Sequence, residues 1–422
     1  MIWLLYNIAL VLLAPIWVPW MLWRASKRNE KPNWKERAGE YVIPRRIDRQ
    51  RIWLHAVSVG EVFAARPIIT ELKTRLPGYE IVLTCTTSTG RSVAEPMVGK
   101  QVDYLFYFPI DIPRFCMAAM TRVEPAVVVI METELWLNFL WAAKLTNAKT
   151  CLANGRISEK SFGRAIRAKF FYPEIFSKLD LCLMQTDPDG IRAAALGARE
   201  TKVLGNSKYD EAVEIVNANW RAKLAISPTE KLIVVGSARG EEEEDLIIAA
   251  LKGLDARVVF APRHVERDEG VQAKATAAGF KTGLRSKGES EADFLVLDTF
   301  GELAFTYPEA EMAIIGGGFA DLGGQNIIQP MAAGCPVICG PNMKNFREPF
   351  ESGLERGAIK VATTSVELRA AVDLLLNDER LRKSMSEAGK KLVAENLGAS
   401  SRYANEIVKL AEAFHASRTQ KR

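Results

Sequence analysis

The chain has 422 residues, of which 48% are hydrophobic and 25% are charged, and its formal net charge is +5. This length exceeds one ordinary domain and predicts two domains of about 200 residues each. The mild charge does not indicate a nucleic-acid-binding protein, and the six scattered cysteines, which form no CxxC pair, are expected to be reduced core residues.

The N-terminus is apolar. Residues 1–23, MIWLLYNIALVLLAPIWVPWMLW, contain no charged side chain, and a basic connector over 24–50 follows. Such a run is long enough to cross a bilayer as a helix, and the basic residues behind it predict that the rest of the chain lies on the cytoplasmic side. Pro15 and Pro19 each predict a kink, so a segment lying in the membrane interface is the alternative. Either structure predicts that residues 1–23 are a membrane anchor in contact with lipids, and the alternative to membrane attachment is a hydrophobic helix that docks on a partner.

Apolar segments then alternate with helix-length amphipathic segments in two successive series. Runs of Val, Ile and Leu suit strands of a parallel sheet buried on both faces. The predicted strands are 52–57, 80–84, 104–108, 126–130, 149–153 and 180–184, and then 232–236, 257–261, 294–298, 311–317, 336–340 and 358–362. Two such arrays predict two doubly wound α/β domains, over 51–215 and 231–376, with a linker at 216–230 and C-terminal helices over 377–422.

Ligands of doubly wound domains bind beyond the carboxyl ends of the strands, which makes the stretch HAVSVGE informative. It places Ser58, Gly60 and Glu61 between the first predicted strand and a helix. Glu61 is either a helix-start acid, stabilised by the helix dipole, or a catalytic base that a ligand approaches over small residues. The dipole is also expected to keep the pKa of Glu61 low and its carboxylate ionised.

Acidic residues follow two other predicted strands. METELW contains Glu132, which suits acid/base work or a helix start. The Asp187-Pro188-Asp189 string is interpreted as a helix N-cap followed by proline at the first helical position, rather than as a metal site.

Candidate anion-binding residues lie in the second half. PRHVER offers Arg263 and His264 after a strand, and a guanidinium is suited to a phosphate. The glycine-rich run GGGFADLGGQN contains Gly317, Gly318 and Asn326 and leads into a helix. Its backbone N–H groups and that helix N-terminus are expected to approach an anionic group.

The ordered set of motifs resembles the membrane-associated 3-deoxy-D-manno-octulosonic acid (Kdo) transferases of lipopolysaccharide biosynthesis. The matching stretches are KERAGEY, HAVSVGE, TSTG, METELW, NGRIS, ALGA, GNSKYD, PRHVER, DTFGEL, GGGF with GGQN, and GPNMKNF. The resemblance implies a GT-B fold, in which two Rossmann-like domains face a central cleft, with the acceptor on the N-terminal domain. It implies transfer of Kdo from CMP-Kdo to a lipid A precursor at the cytoplasmic face of the bacterial inner membrane. Inversion at the anomeric carbon, without metal or cofactor, is implied as well.

Site roles follow from the resemblance, position by position. Glu61 matches the general base that takes the proton of the acceptor hydroxyl. Ser58, Gly60, Arg91 and Glu132 are expected at the acceptor or at a carboxylate or lipid phosphate. The expected donor contacts are Arg263, which stabilises the departing phosphate, together with His264, Lys208, Phe300, Gly301, Gly317, Gly318, Asn326 and Gln329.

Two of these positions depart from the family pattern. The family usually has Glu at the position of Gln329 and Met at that of Phe300, and both belong to the expected donor site. Gln is a neutral and weaker acceptor than Glu. The alternatives are therefore a GT-B enzyme that uses a different nucleotide sugar, or a catalytically silent membrane-bound relative.

Overall fold

Two seven-stranded parallel sheets form the framework. The computed structural model describes residues 1–27, 33–44, 50–168, 170–211, 220–299 and 301–419. The strands of the first sheet are β1 (Gln50–His55), β2 (Tyr79–Cys85), β3 (Tyr104–Tyr107), β4 (Val127–Met131), β5 (Lys149–Gly155), β6 (Leu181–Met184) and β7 (Thr201–Val203). Those of the second are β8 (Leu232–Ala238), β9 (Arg257–Pro262), β10 (Thr282–Leu284), β11 (Phe294–Val296), β12 (Met312–Ile315), β13 (Val337–Cys339) and β14 (Ile359–Val361). The predicted doubly wound α/β class is confirmed.

The strand order creates one reversal point in each sheet. The orders are β3-β2-β1-β4-β5-β6-β7 and β10-β11-β9-β8-β12-β13-β14. The direction of winding therefore changes between β1 and β4, and again between β8 and β12. A crevice outside the carboxyl ends of the strands at such a point is where open α/β sheets bind their ligands.

Helices connect the strands. They are α1 (Ile2–Leu12), α2 (Ala14–Lys27), α3 (Trp34–Arg37), α4 (Val59–Arg75), α5 (Ser88–Ala94), α6 (Pro113–Val123), α7 (Leu137–Leu145), α8 (Glu159–Arg167), α9 (Tyr172–Phe176), α10 (Asp187–Ala195), α11 (Trp220–Lys223), α12 (Glu241–Leu251), α13 (Asp268–Ala277), α14 (Ile328–Ala333), α15 (Arg347–Glu355), α16 (Ser365–Asn377), α17 (Glu379–Asn396) and α18 (Ala399–Thr419). Ile52 and Leu54 belong to one hydrophobic cluster, and Trp53 belongs to another. Because successive side chains of a strand point to opposite faces, the first sheet is buried on both sides.

All twelve predicted strands are present, and β7 and β10 are additional. Their sequences, TKV and TGL, contain a single Val or Leu each and so produce no hydrophobic run. The start of α10 differs by one residue from the prediction, since Thr186 is the N-cap and accepts a hydrogen bond from the Asp189 amide. The Asp189 carboxylate in turn accepts from the Ile157 N–H at 2.7 Å. This acidic string therefore organises a helix start.

The N-terminal helices α1 and α2 are separated by a bend of 63°. Pro15 lies in the first turn of α2, where its ring and its missing N–H interrupt a continuous helix. Among the described residues, each helix taken singly falls short of the length and apolarity that a bilayer crossing requires. Ile2–Leu12 and Ala14–Trp20 meet these requirements only together, as a bent pair judged by length and composition.

The chain divides into two compact units in a way that changes the predicted C-terminal boundary. One unit comprises Met1–Asp210 and Gly398–Arg422, and the other comprises Glu211–Leu397. The predicted group of helices over 377–422 is therefore split: α17 belongs to the second unit and α18 to the first. Tyr403 and Ile407 of α18 are buried in the core of the first sheet.

Asp210 anchors the returning helix α18. Its two carboxylate oxygens accept hydrogen bonds from the backbone N–H groups of Gly398 and Ser400, each at 2.6 Å. The Gly398 amide directly precedes α18 and the Ser400 amide lies in its first turn, where the N–H groups of a helix have no acceptors of their own. A negative charge there is also favoured by the helix dipole.

We predict that Asp210→Ala lowers the free energy of unfolding by about 1–2 kcal/mol, the usual cost of a lost N-cap. Chemical denaturation of the purified protein measures this change. The same substitution at Asp255, an exposed aspartate of the second unit, serves as the control and is expected to have little effect. Equal stability of the two variants would contradict the capping role.

Candidate active site

Glu61 lies at the reversal point of the first sheet, in the first turn of α4. Its Oε2 accepts a hydrogen bond from the Val57 backbone N–H at 2.8 Å, and its Oε1 accepts one from the Ser58 hydroxyl at 3.3 Å. Ser58 thus contacts the carboxylate directly, while Gly60 is buried in the first turn of the helix. The side chain is 8% exposed, so the carboxylate is almost removed from water.

The electrostatic environment of Glu61 corrects the expectation of a low pKa. Burial raises the pKa of Glu61 well above its usual range, and the nearby charge of Glu132 raises it further. The Val57 hydrogen bond and the positive charge of Lys208 oppose this change without reversing its direction. Desolvation therefore outweighs the helix terminus, because it penalises the charged form directly.

Glu132, which is partly buried, and Lys208, which is buried, form an ion pair near Glu61. The Lys208 Nζ lies 2.8 Å from the Glu132 Oε1. Glu132 follows β4 directly and has a φ of 55°, a left-handed conformation that is uncommon for a residue with a side chain. Such backbone strain persists where the surrounding structure enforces it, often at functional sites.

Lys208, a predicted donor contact, lies in the first unit near Glu61. The surrounding GNSKYD segment forms a 3-10 turn over Ser207–Glu211. The Ser207 hydroxyl donates to the Ala64 carbonyl of α4 at 2.8 Å, and the Ser207 N–H donates to the Asn154 Oδ1 at 3.0 Å. These bonds fix the position from which Lys208 reaches Glu132.

His55 does not compete with Glu61 as a base. Its side chain is completely buried, and its Nδ1 lies 3.1 Å from both the carbonyl and the hydroxyl oxygen of Thr84. Burial lowers the pKa of His55 to about 3. The imidazole is therefore neutral at physiological pH and belongs to the floor of the site.

Arg91 lies on the same side of the sheet as Glu61. Burial raises the pKa of the Cys85 thiol to about 12, the Glu61 charge raises it further, and the Arg91 charge lowers it, so both side chains are near this thiol. The Arg91 guanidinium is 2.7 Å from the Glu36 carboxylate and lies over the Tyr107 ring, 4.7 Å from the centroid. An acceptor phosphate that contacts Arg91 would therefore share it with Glu36.

In the second unit, two arginines follow the adjacent strands β8 and β9. Arg263 begins the loop after β9 and donates its backbone N–H to the Ala238 carbonyl at 2.8 Å. Desolvation, and then the neighbouring charge of Arg239, lower the pKa of Arg263. Two guanidinium groups this close repel one another, and an anion between them would relieve the repulsion. Arg239 was missed because the single arginine in SARGEE has no recognisable spacing.

The glycine-rich turn differs from the prediction. The N–H groups of Gly317 and Phe319 donate to the two Glu243 carboxylate oxygens, at 2.7 and 3.1 Å. The anionic group that these amides approach is therefore the protein's own Glu243, which is 1% exposed. A Cβ at Gly318 would come within 2.8 Å of the Met343 sulfur and 3.1 Å of the Gly340 carbonyl oxygen, so a larger residue there would require Met343 to shift. Glu243 was hidden in the run GEEEE, where four consecutive acids suggest a solvated helix start.

The remaining donor candidates are spread along this unit. The Asn326 side chain accepts from the N–H groups of Ile328 and Gln329, at 2.9 and 3.3 Å, and so organises the start of α14. Gln329 is partly buried in that first turn, and His264 is exposed after β9. Gly301 has a φ of 83°, which favours glycine. Phe300 lies outside the described residues.

Comparison with known proteins agrees with this organisation. Residues 32–211 match the family model of the 3-deoxy-D-manno-octulosonic-acid transferases, and residues 216–392 match that of the group 1 glycosyl transferases. The 3-deoxy-D-manno-octulosonic acid transferase of Bordetella pertussis is 34% identical, over 94% of this chain and 96% of its own.

Solved structures show the fold. MurG of Acinetobacter baumannii is similar with a TM-score of 0.56 and 13% identity, covering 85% of this chain and 99% of its own. The Staphylococcus aureus MnaA–UDP complex is similar with a TM-score of 0.54 and 16% identity, covering 85% and 96%.

Two doubly wound parallel domains with these neighbours define a glycosyltransferase fold of the GT-B type. The fold alone does not select a reaction. The sequence relationship does so, because it extends over nearly the whole chain. The protein belongs to the 3-deoxy-D-manno-octulosonic acid transferase family and is a glycosyltransferase.

The pH dependence of the reaction tests the electrostatics around Glu61. A base acts in its deprotonated form, so if Glu61 is the base, its raised pKa places the acid limb of kcat/KM at higher pH than for an ordinary glutamate. We predict that Glu132→Gln moves this limb to lower pH, because it removes the nearby negative charge that most raises the Glu61 pKa.

Glu134→Gln is the matched comparison. The charge of Glu134 also raises the pKa of Glu61, but less than that of Glu132. The acid limb of kcat/KM for Glu134→Gln is therefore expected to move to lower pH by a smaller amount than for Glu132→Gln. If the acid limb of kcat/KM stayed at the wild-type pH in both variants, the predicted effect of these two charges on the Glu61 pKa would be disproved.

Proposed function

We propose that this protein transfers Kdo from CMP-Kdo to a lipid A precursor, with inversion at the anomeric carbon and with Glu61 as the general base. The observation that carries the proposal is the buried Glu61 carboxylate at the reversal point of the first sheet, in a chain of the Kdo transferase family. A carboxylate in this position can take the proton of an acceptor hydroxyl as the glycosidic bond forms.

The raised pKa of Glu61 suits this role. A general base is most effective when its pKa is near the working pH, because it is then both available and sufficiently basic. The negative charge of Glu132 raises the pKa of Glu61 and the positive charge of Lys208 lowers it, so the two members of this ion pair have opposite effects on that pKa. The Val57 N–H and the Ser58 hydroxyl orient the carboxylate.

The leaving group is CMP, which departs with additional negative charge on its phosphate. Arg263 and Arg239 follow neighbouring strands and supply positive charge for that phosphate. Glu243 assists indirectly, since it holds the Gly317 turn through two backbone N–H groups. Donor binding thus depends on side-chain cations more than on the glycine amides.

The N-terminal helices support a membrane location at the cytoplasmic face of the bacterial inner membrane. One side of α1 contacts the first unit: Tyr6 donates to Asp111 at 2.8 Å, and the Trp3 ring stacks on Trp141 at 4.9 Å. The opposite side leaves large apolar side chains exposed, including Val11 and Leu12. A helix with one protein-bound and one apolar exposed side favours a position in the membrane interface.

We predict that Glu61→Gln lowers kcat for Kdo transfer by about 10²-fold or more, because proton transfer by a positioned side chain contributes that much. Purified protein in detergent, CMP-Kdo and a tetraacylated lipid A precursor provide the assay. Mass spectrometry of the lipid measures the product. Glu71→Gln is the control on the same helix and is expected to retain wild-type turnover.

Thermal unfolding separates lost chemistry from lost structure. Because the folded-state pKa of Glu61 is raised, ionisation of this carboxylate costs stability as the pH rises through that pKa. Glu61→Gln is therefore expected to unfold at the same or a higher temperature than wild type at neutral pH. A fully active Glu61→Gln protein would disprove the assignment of the base.

A further inference from the structure

A cavity of about 290 Å³ lies within the first unit, between α2 and residues of α3, α6 and the segment before α6. All of its lining residues are apolar: Trp17, Val18, Trp34, Ala38, Ile110, Ile112 and Phe115. We call it the α2 cavity. The geometry points to a binding site for one acyl chain of the lipid acceptor, an inference that rests on the proposed function.

The position of α2 over this cavity is fixed by specific contacts of α1. Asp111, which lies between two lining residues, accepts the Tyr6 hydroxyl at 2.8 Å and the Phe139 N–H at 2.9 Å. Asn7 and Asn138 exchange two hydrogen bonds, at 3.0 and 2.8 Å. The segment that forms one wall of the cavity therefore also holds the N-terminal helix in place.

The bend between the two helices directs α2 across the opening. The Trp17 indole N–H donates to the Leu10 carbonyl of α1 at 2.9 Å and so braces the bend. Trp17 and Val18 then face Ile110, Ile112 and the short helix α3. A hydrophobic anchor that served only to hold the protein on the membrane would not need an apolar cavity between α2 and the residues around Ile110 and Ile112.

Polar groups at one end of the cavity identify the kind of lipid. Arg37 precedes the lining residue Ala38, and its carbonyl accepts the Ile110 N–H at 2.9 Å. The guanidinium groups of Arg37 and Arg91 each lie 4.7 Å from the centroid of the Tyr107 ring. Glu36 also reaches this point, where its carboxylate accepts from Arg91 at 2.7 Å.

This sequence of groups matches an amphiphile with an anionic headgroup. Arg37 lies next to the cavity, and Arg37 and Arg91 both lie over the Tyr107 ring. Arg91 is in turn near Glu61, because the charges of both side chains act on the Cys85 thiol. An acyl chain in the α2 cavity would therefore belong to a lipid whose phosphorylated headgroup extends past two guanidinium groups towards the base. Arg is well suited to such a headgroup because its fork donates two parallel hydrogen bonds.

The test compares two acceptors: the tetraacylated lipid A precursor and its fully deacylated, water-soluble counterpart. Val18→Phe and Ala38→Leu fill the cavity from α2 and from the residue that follows α3. Each is expected to lower the ratio of kcat/KM for the acylated over the deacylated acceptor by about tenfold or more, mainly through KM, since excluding apolar groups from a fitted pocket has effects of this size. Val366→Phe makes the same change at an exposed position of α16 in the second unit and should keep the wild-type ratio.

The two acceptors also separate the possible failures. Wild-type protein that converts neither acceptor would disprove the proposed function itself. Wild-type protein that converts both, with cavity variants that still convert the deacylated acceptor and keep the wild-type ratio, would overturn the acyl-chain site and leave the proposed function standing. Conversion of the deacylated acceptor by the variants verifies that they are folded.

Discussion

The 2.8 Å contact between Lys208 and Glu132 is the interaction on which the candidate active site depends. Lys208 belongs to the 3-10 turn Ser207–Glu211, and two other residues of this turn bind three further elements. Ser207 binds α4 and β5, and Asp210 binds the start of α18. Breaking a buried pair leaves an uncompensated charge in a poorly solvated place. The same turn therefore joins the electrostatics of Glu61 to the attachment of the C-terminal helix.

The two units contain the same local motif, a glutamate at the start of a helix that accepts a preceding backbone N–H, but the two glutamates have different surroundings. Glu61 and Glu243 are each the third residue of the helix that follows the first strand of their sheet. Each accepts the backbone N–H four residues earlier, from Val57 and from Arg239. Glu243 also binds the glycine-rich turn and is thereby committed to structure, whereas Glu61 is bound at one oxygen by a flexible hydroxyl. Only the arrangement around Glu61 leaves a carboxylate for the proposed chemistry.

Much of the architecture was predictable from the sequence, because a parallel sheet buried on both faces requires continuous runs of Val, Ile and Leu. The edge strands β7 (TKV) and β10 (TGL) were not predictable, since neither contains a run of Val, Ile and Leu. The placement of α18 was also hidden, because its amphipathic pattern shows that one face is buried but not against which sheet. Lys208 and Glu132 are 76 positions apart, and no spacing rule relates them.

The sequence by itself determined the strands, the helix starts and the family motifs, because periodicity, caps and ordered residue patterns are local properties. Only the tertiary structure decided how the acids behave. Glu367 starts α16 as Glu61 starts α4, and its hydrogen bonds to Thr363 lower its pKa. Burial beside Glu132 raises the pKa of Glu61 instead. The local motif is shared, and the difference is desolvation, which depends on what the rest of the chain packs around each carboxylate.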